Sequence, residues 1–178
     1  MLFKLLLLAD ETKQYGCGDS LINSKYVVTA GHCVNFRTAE IILICVRLGE
    51  LDTSTDIGCD NMTTFETVCA PAALNIAIEQ IIFHEKYNPL QNNKRNNNDI
   101  ALLRLEKEVT FTEFISLICL PLKGSLSADD LAGVNLTVAG WGATETFKTS
   151  DKKLKVILNV WSHDECSKKY VDRNIISQ

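Results

Sequence analysis

The sequence lacks the features that mark several classes of protein. No stretch approaches the roughly 20 apolar residues that a membrane-spanning helix needs, so no membrane partner is predicted. Lysine and arginine form no block, and the formal net charge is −4, which argues against nucleic-acid binding. There is no Cys-x-x-Cys pair, so a zinc ribbon or a dithiol redox motif is not predicted. No linker rich in glycine, proline or serine divides the 178 residues, which indicates one domain or slightly more.

Cysteine, in contrast, is plentiful, with seven residues. This is more than a cytosolic chain of this size usually carries, yet 46% of the residues are hydrophobic and can form a core. The combination favours a secreted domain with a core and a few disulfides. Because the number is odd, at least one cysteine has no partner within the chain.

The apolar runs are short, rich in valine and isoleucine, and separated by polar turn clusters. Runs of strand length at this spacing predict an all-β sandwich or barrel. Helical periodicity is weak, although residues 127–131 and 164–170 could each hold a turn or two. Residues 88–98 form the most polar segment and are predicted to be an exposed loop. The predicted strands are 26–28, 41–46, 81–83, 100–105, 134–138 and 154–160.

The amino-terminal apolar run has two interpretations. Residues 2–9 are apolar apart from Lys4, as in a signal peptide. The run is short, however, and Asp10 and Glu11 follow with no small-x-small cleavage site. The alternative is a buried strand over residues 5–9 that enters a hairpin.

Only three histidines are present, and His32 is the one with a distinctive setting. It follows the predicted strand 26–28 and precedes Cys33. A Cys17–Cys33 bridge would close a 16-residue loop and fix the backbone beside this histidine. A histidine held at a strand end suits a general base, but a partly buried structural histidine is the common alternative. His84 and His163 lie in charged segments and have no metal-ligand spacing, so both are predicted to be solvated.

Asp99 is a candidate hydrogen-bond partner of His32. It directly precedes the strongly apolar run 100–105. If that strand is central, Asp99 is partly buried and needs a donor, and an imidazole N–H is such a donor. The alternative is an aspartate that only stabilises the turn after the asparagines.

Ser20 lies in a Gly-Asp-Ser triplet, a sequence that can contain a nucleophilic serine. Here Leu21, Ile22 and Asn23 follow in place of glycines. An oxyanion hole requires tightly turned backbone N–H groups, which glycine makes accessible. Ser20 is therefore predicted to be a strand serine and not a nucleophile.

Four ordered motifs together resemble a trypsin/chymotrypsin-type serine protease. They are residues 27–33 (VVTAGHC), 98–105 (NDIALLRL), 119–121 (CLP) and 138–143 (VAGWGA). The resemblance implies two antiparallel β-barrels with the active site between them. It implies that residues 1–118 supply most of the first barrel and 119–178 an incomplete second barrel.

The resemblance also assigns roles to individual residues. His32 matches the catalytic base of the family, and Asp99 matches the carboxylate that orients it. Cys17 and Cys33 match the disulfide beside that histidine. The arthropod clip-domain branch of the family is resembled at Cys59, at Cys69 and around Cys119. In that branch the first two cysteines form a disulfide, and the cysteine at the Cys119 position is bridged to a segment upstream of the catalytic domain.

The sequence departs from the family pattern in several places. The Gly-Asp-Ser-Gly-Gly segment with the nucleophile is expected beyond Gln178, and the Ile-Val-Gly-Gly start is absent. Cys119 and Cys166 lack their expected partners, and Cys45 matches no family cysteine. Gly31 stands where alanine is usual.

The resemblance therefore implies an extracellular serine endopeptidase, represented by a part that is inactive alone. A protein substrate or zymogen of an extracellular cascade is the implied partner, with a serpin as a further one. The alternative is a non-catalytic homologue that regulates a protease. No cofactor or metal is expected, although the acidic loop of residues 50–66, from Glu50 to Glu66, resembles calcium loops of some relatives.

Overall fold

The chain folds mainly as antiparallel β-structure in the computed structural model, which describes residues 2–9, 12–35, 41–63, 66–88, 98–120, 130–146 and 149–170. The prediction of an all-β fold is confirmed. The elements are β1 (Leu2–Ala9), β2 (Thr12–Leu21), β3 (Tyr26–Thr29), a 3₁₀ turn (Gly31–Cys33), β4 (Ile41–Leu48), β5 (Cys59–Thr63), β6 (Glu66–Cys69), β7 (Leu74–Phe83), β8 (Ala101–Leu105), β9 (Asn135–Gly140), β10 (Leu154–Asn159) and α1 (His163–Tyr170).

Six strands close into a barrel in the order β1-β2-β3-β8-β7-β4. Every neighbouring pair is antiparallel. Closure removes the unpaired edges that an open sheet would leave. The barrel interior is filled by branched aliphatic side chains. The largest fully buried ones are Leu5, Leu21, Val27, Val46, Leu48, Ile76, Leu103 and Leu105.

The alternation of β8 shows why the barrel forms. Ala101, Leu103 and Leu105 are buried, and the residues between them are partly exposed. This period-2 pattern places one face of the strand in the core. The loop before residue 119 also belongs to this unit, because the Ile118 N–H donates to the Leu21 carbonyl at 3.0 Å.

Two smaller sheets lie outside the barrel. β9 and β10 pair over six residues, from Leu154 opposite Gly140 to Asn159 opposite Asn135. β5 and β6 form a hairpin that begins with Cys59 opposite Cys69. Among the described helices, none is both long and apolar enough to cross a membrane.

Several sequence predictions differ from these elements in extent. Residues 5–9 do form a strand, but it begins at Leu2. Strand β7 begins at Leu74, seven residues before the predicted run 81–83. The prediction missed its first half because Glu79 and Gln80 interrupt the apolar residues. The hairpin of β5 and β6 has no counterpart among the predicted strands, since its sequence is largely polar. The predicted helical turns at 164–170 are confirmed by α1. Residues 127–129 and 89–97 lie outside the described residues.

Candidate active site

His32 is held at the point where β3 leaves the barrel. Val27 and Thr29 of this strand are buried, and the chain then enters the 3₁₀ turn. The turn is closed by the Cys33 N–H, which donates to the Ala30 carbonyl at 3.1 Å. Cys33 is bridged to Cys17 of β2, with a Cα–Cα distance of 5.8 Å. The backbone on both sides of His32 is thereby fixed.

Asp99 reaches His32 because β8 is the neighbour of β3. Thr29 lies opposite Ala101 in this antiparallel pair. The end of β3 and the start of β8 are consequently adjacent, and residues separated by 67 positions in sequence come into contact.

The contact between the two residues has two parts. The Asp99 Oδ2 atom lies 2.6 Å from the His32 Nδ1 atom, and the Oδ1 atom accepts the His32 backbone N–H at 2.7 Å. With Nδ1 donating to the carboxylate, the proton of a neutral imidazole is assigned to Nδ1 and the lone pair to Nε2. The ring is therefore oriented and set in one tautomer by a single side chain.

The Nε2 atom is the chemically available side of the ring. The His32 side chain is 55% exposed, whereas that of Asp99 is 18% exposed. Within the described part of the chain, the polar atom near Nε2 is Cys33 Sγ at 3.5 Å, and no hydroxyl lies within hydrogen-bonding distance. An oriented imidazole with an open Nε2 can take a proton from a nucleophile that comes within hydrogen-bonding distance of it.

The other candidates are not at this site. Ser20 lies in β2 opposite Val28, as a strand residue. His84 accepts the Lys86 N–H on its Nδ1 atom in an exposed turn, and His163 begins α1. The structure brings neither histidine to the pair of His32 and Asp99.

The group formed by Cys17, Cys33 and His32 is not a metal site, because its two cysteines are joined in a disulfide. Cys17, Cys33 and His32 offer ligand atoms within 4.8 Å of one another, the one such group of His, Cys, Asp or Glu among the described residues. Both sulfur atoms are in the disulfide, so neither is a thiolate that could ligate an ion. The Cys59–Cys69 bridge is also present and closes the hairpin of β5 and β6.

The described part of the loop from Glu50 does not fit a calcium ion. The Glu50 side chain is 3% exposed and accepts the Arg47 Nε–H at 2.6 Å and the Asp52 N–H at 2.9 Å. Asp52 in turn accepts the Ser54 N–H at 3.0 Å. These carboxylates already accept hydrogen bonds from protein donors, while calcium needs six to eight converging oxygens. The Glu66 side chain lies outside the described side chains.

A cation–aromatic cluster beside the site has no counterpart among the sequence predictions. The Lys4 ammonium lies 4.8 Å from the centroid of the Tyr15 ring and 5.0 Å from that of Trp141. Lys153 contacts the same Trp141 ring at 5.1 Å. Burial lowers the pKa of Lys4, and the charges of Asp151 and Glu50 partly oppose that shift. A charged residue inside the apolar run 2–9 is the one signal of this cluster in the sequence.

This cluster lies along a cavity of about 550 Å³ between the barrel and the turn after β9. Its walls include Lys4, Tyr15, Cys17 and Trp141. Because Cys17 is bonded to Cys33, the cavity lies on the disulfide side of His32.

Asp19 is a second feature that sequence reasoning missed. The residue is 2% exposed, and among the described residues neither carboxylate oxygen has a hydrogen-bond partner. Burial raises the pKa of Asp19 well above the usual aspartate range. The signal in the sequence is strand alternation, which puts Asp19 on the same face of β2 as the buried Leu21 and therefore inside the barrel.

Comparison with known proteins agrees with this architecture. The family model described as Trypsin matches residues 6–178. The chain is 42% identical to the Spaetzle-processing enzyme of Drosophila melanogaster over 166 residues, covering 92% of this chain and 41% of that protein. It is 44% identical to the CLIP domain-containing serine protease B4 of Anopheles gambiae, covering 92% and 43%.

A solved structure shows the same fold. The crystal structure of the Drosophila Grass clip serine protease of the Toll pathway superimposes with a TM-score of 0.79 at 31% identity, covering 99% of this chain and 47% of that chain. The chain thus spans less than half the length of these relatives. Taken with the barrel and the paired His32 and Asp99, the match over residues 6–178 shows that the chain belongs to the trypsin family of serine proteases, among relatives of the insect clip-domain type.

Proposed function

We propose that this chain is the part of a secreted serine endopeptidase that carries its general base and its orienting carboxylate. The observation that carries the proposal is the two-point contact of Asp99 with His32, at 2.6 Å and 2.7 Å. A structural histidine at a strand end does not need a carboxylate on both its ring and its backbone. Residues 1–118 form the first-barrel part in this proposal, and 119–178 the second-barrel part.

In the proposed mechanism, Nε2 of His32 removes the proton of a serine hydroxyl as that oxygen attacks the peptide carbonyl. Asp99 holds the ring and stabilises the imidazolium that forms. His32 then donates the proton to the leaving amine, and water hydrolyses the acyl-enzyme by the same route. No described hydroxyl lies within hydrogen-bonding distance of Nε2. The proposal places the nucleophile beyond Gln178 because the resemblance to the family puts its Gly-Asp-Ser-Gly-Gly segment there.

The proposed setting is an extracellular protease cascade, with a protein substrate or zymogen as partner and a serpin as inhibitor. Two disulfides support an oxidising compartment. The names of relatives support the cascade, since they include Melanization protease 1 of Drosophila melanogaster and Phenoloxidase-activating factor 1 of Holotrichia diomphalia.

Probe labelling tests the proposal. The transcript is sequenced past the codon for Gln178, and the chain is expressed both as residues 1–178 and with the residues encoded beyond. We expect a fluorophosphonate probe to label the extended protein, with a processed amino terminus, and not residues 1–178. A substituted serine in the extension would instead identify a non-catalytic homologue. Labelling of residues 1–178 at Ser20 would contradict the proposed position of the nucleophile.

A further inference from the structure

Asn135 begins a sequence triplet that has no role in the proposed mechanism. Asn135-Leu136-Thr137 has the pattern that accepts N-linked glycans in chains that enter the secretory pathway. The chain has one other such triplet, Asn61-Met62-Thr63, whose side chains lie outside the described ones. Because a glycan is bulky and hydrophilic, a folded protein accommodates it only where the asparagine lies at the surface.

The sheet of β9 and β10 presents the asparagine and the threonine of the triplet on one face. Side chains two residues apart in a strand point to the same side, so Asn135 and Thr137 lie together and Leu136 lies on the opposite, apolar side. Both Asn135 and Thr137 are exposed. Their partners in the neighbouring strand are Asn159 and Ile157. The acceptor residues are therefore at the surface of the sheet.

The end of the sheet at Asn135 is held by backbone hydrogen bonds. The chain turns at Gly133, which has a φ of 79°, and enters β9 two residues later. The Gly133 N–H donates to the Val160 carbonyl at 2.9 Å, and the Val160 N–H donates to the Val134 carbonyl at 2.9 Å. A group attached to the side chain of Asn135 disturbs none of these bonds.

The side-chain amide of Asn135 is oriented by its partner in β10. The Asn159 Nδ2 atom donates to the Asn135 Oδ1 atom at 2.8 Å and to the Gly133 carbonyl at 3.3 Å. This contact uses the oxygen of the Asn135 amide, whereas a glycan is attached to the nitrogen. Since a glycosylated amide keeps its oxygen as an acceptor, the contact with Asn159 and a glycan are compatible.

Asn135 also lies away from the cavity on the disulfide side of His32. Strand β9 runs from Asn135 to Gly140, and Gly140 lines that cavity. At about 3.3 Å per residue, the length of the strand separates the two residues by roughly 17 Å. A glycan on Asn135 is therefore attached at the far end of β9 from the cavity.

We propose that Asn135 carries an N-linked glycan in the secreted protein. The donor is an oligosaccharide linked to a lipid pyrophosphate. The Asn135 Nδ2 atom bonds to the anomeric carbon of the sugar as the bond from that carbon to the phosphate oxygen breaks. Lipid pyrophosphate leaves, and the amide loses one proton to solvent. The proposal rests on the part of the proposed function that makes the protein extracellular, and it does not depend on proteolysis.

The test expresses residues 1–178 and the extended protein in insect cells behind a cleavable secretion signal. Asn61 is replaced by glutamine in every chain, so that Asn135 is the remaining acceptor within residues 1–178. The variants are Asn135→Gln, Thr137→Val and Thr137→Ser. Valine keeps the branched shape of threonine and its preference for strands but lacks the hydroxyl. Serine keeps the hydroxyl that the acceptor pattern requires, so Thr137→Ser is the matched control.

We expect residues 1–178 with Asn61→Gln to show a mass increase that peptide N-glycosidase removes without denaturation, because Asn135 is exposed. The enzyme converts the glycosylated asparagine to aspartate, which identifies residue 135 in a peptide map. Asn135→Gln and Thr137→Val should lose the increase completely, and Thr137→Ser should keep it. In the extended protein, removal of the glycan should leave the rate of fluorophosphonate labelling unchanged.

Several results would overturn the proposal. They are an unmodified Asn135 in the peptide map, a mass increase that persists in Thr137→Val, and a glycan that is released only after denaturation. Faster probe labelling after removal of the glycan would contradict its position away from the cavity.

The design also separates this proposal from the proposed function. Because the added signal takes the chain into the secretory pathway in every case, a missing glycan counts against Asn135 and not against secretion. Failure of the protease function would appear instead as absent probe labelling of an extended protein that carries the glycan on Asn135.

Discussion

Asp99 contacts His32 through both carboxylate oxygens. Its Oδ2 atom lies 2.6 Å from the His32 Nδ1 atom, and its Oδ1 atom accepts the His32 backbone N–H at 2.7 Å. The contact with the backbone N–H fixes the turn that carries His32, so the orientation of the ring and the position of the backbone are set together. A carboxylate that touched the ring alone would leave the turn free to shift. Loss of Asp99 should therefore affect both the tautomer of the ring and its place.

Substitution of either residue should impair the complete protease strongly. In the extended protein, His32→Ala should abolish peptide hydrolysis. Asp99→Asn should lower kcat by about 10⁴-fold with little change in fold, which is the magnitude known for the Ser-His-Asp triad of this same family. Steady-state kinetics with a peptide substrate measure both, and His84→Ala is the control, because His84 lies in an exposed turn. Full activity of Asp99→Asn would remove Asp99 from the proposed mechanism.

Removal of the Cys17–Cys33 bridge should loosen His32 more than removal of the Cys59–Cys69 bridge. The loops span 16 and 10 residues, so each bridge should contribute about 3 kcal/mol in the chain-entropy model. Only the first is next to His32. Paired serine variants should thus lose similar stability in denaturant titrations.

Hydrogen exchange separates the two bridges. The His32 amide, which donates to Asp99, should exchange faster only without the Cys17–Cys33 bridge. Equal protection in both paired variants would show that this bridge does not hold the site.

The remaining cysteines should differ in reactivity according to their exposure. Cys119 is exposed, Cys166 is partly exposed and Cys45 is buried. Alkylation of the native chain should therefore modify Cys119 first and Cys45 only upon unfolding. Peptide mapping under non-reducing conditions measures the order. A Cys17–Cys45 bridge in the same map would contradict the observed pairing.

Asp19 should make the barrel less stable as the pH rises. Its folded-state pKa is raised by burial, so the protonated carboxyl is the form that the barrel tolerates. The associated stability is fully present below the unfolded-state pKa and is lost as the pH rises through the raised folded-state pKa.

Melting curves from pH 4 to pH 8 test this effect. Asp19→Asn should flatten the decline in Tm, because the amide does not titrate. Asp19→Ala should stabilise the chain at pH 7 by about 1–3 kcal/mol, the cost of a buried polar group without a partner. The exposed Asp56→Asn should behave like the parent. A parent Tm that does not fall with pH would refute the role of Asp19.

The sheet of β9 and β10 should cause residues 1–178 to self-associate. One face presents Leu136, Val138 and Val156, which are 44%, 50% and 51% exposed, together with Leu154 and Leu158. A contiguous apolar face of this kind is an association hazard. Val138→Thr combined with Val156→Thr should lower the average mass in analytical ultracentrifugation.

Ile157→Thr is the control for this prediction. It is 66% exposed, but it lies on the opposite face, beside Thr137 and between Lys155 and Asn159. An isolated apolar residue should matter less than a continuous face. A monodisperse, cooperatively unfolding parent would show that the apolar face is harmless.

The sequence alone determined the all-β character of the chain and the location of several of its strands. The strands at 26–28 and 100–105 could be predicted because their side chains are largely apolar or alternate between buried and partly exposed positions. Such a pattern depends only on the local sequence. It also singled out His32 and Asp99, since each follows or precedes such a run.

Tertiary structure alone decided what those residues contact. Barrel closure placed the ends of β3 and β8 side by side, which brought together residues 67 positions apart. It put Lys4 between two aromatic rings, Asp19 inside the barrel and Tyr87 over Gly31. The contacts of Lys4 and Tyr87 have no periodic signature, because each depends on which distant segments of the chain come together; strand alternation gives the face on which Asp19 lies, but closure of the barrel makes that face its interior. Local pattern therefore defined the strands, and their closure into a barrel defined the site.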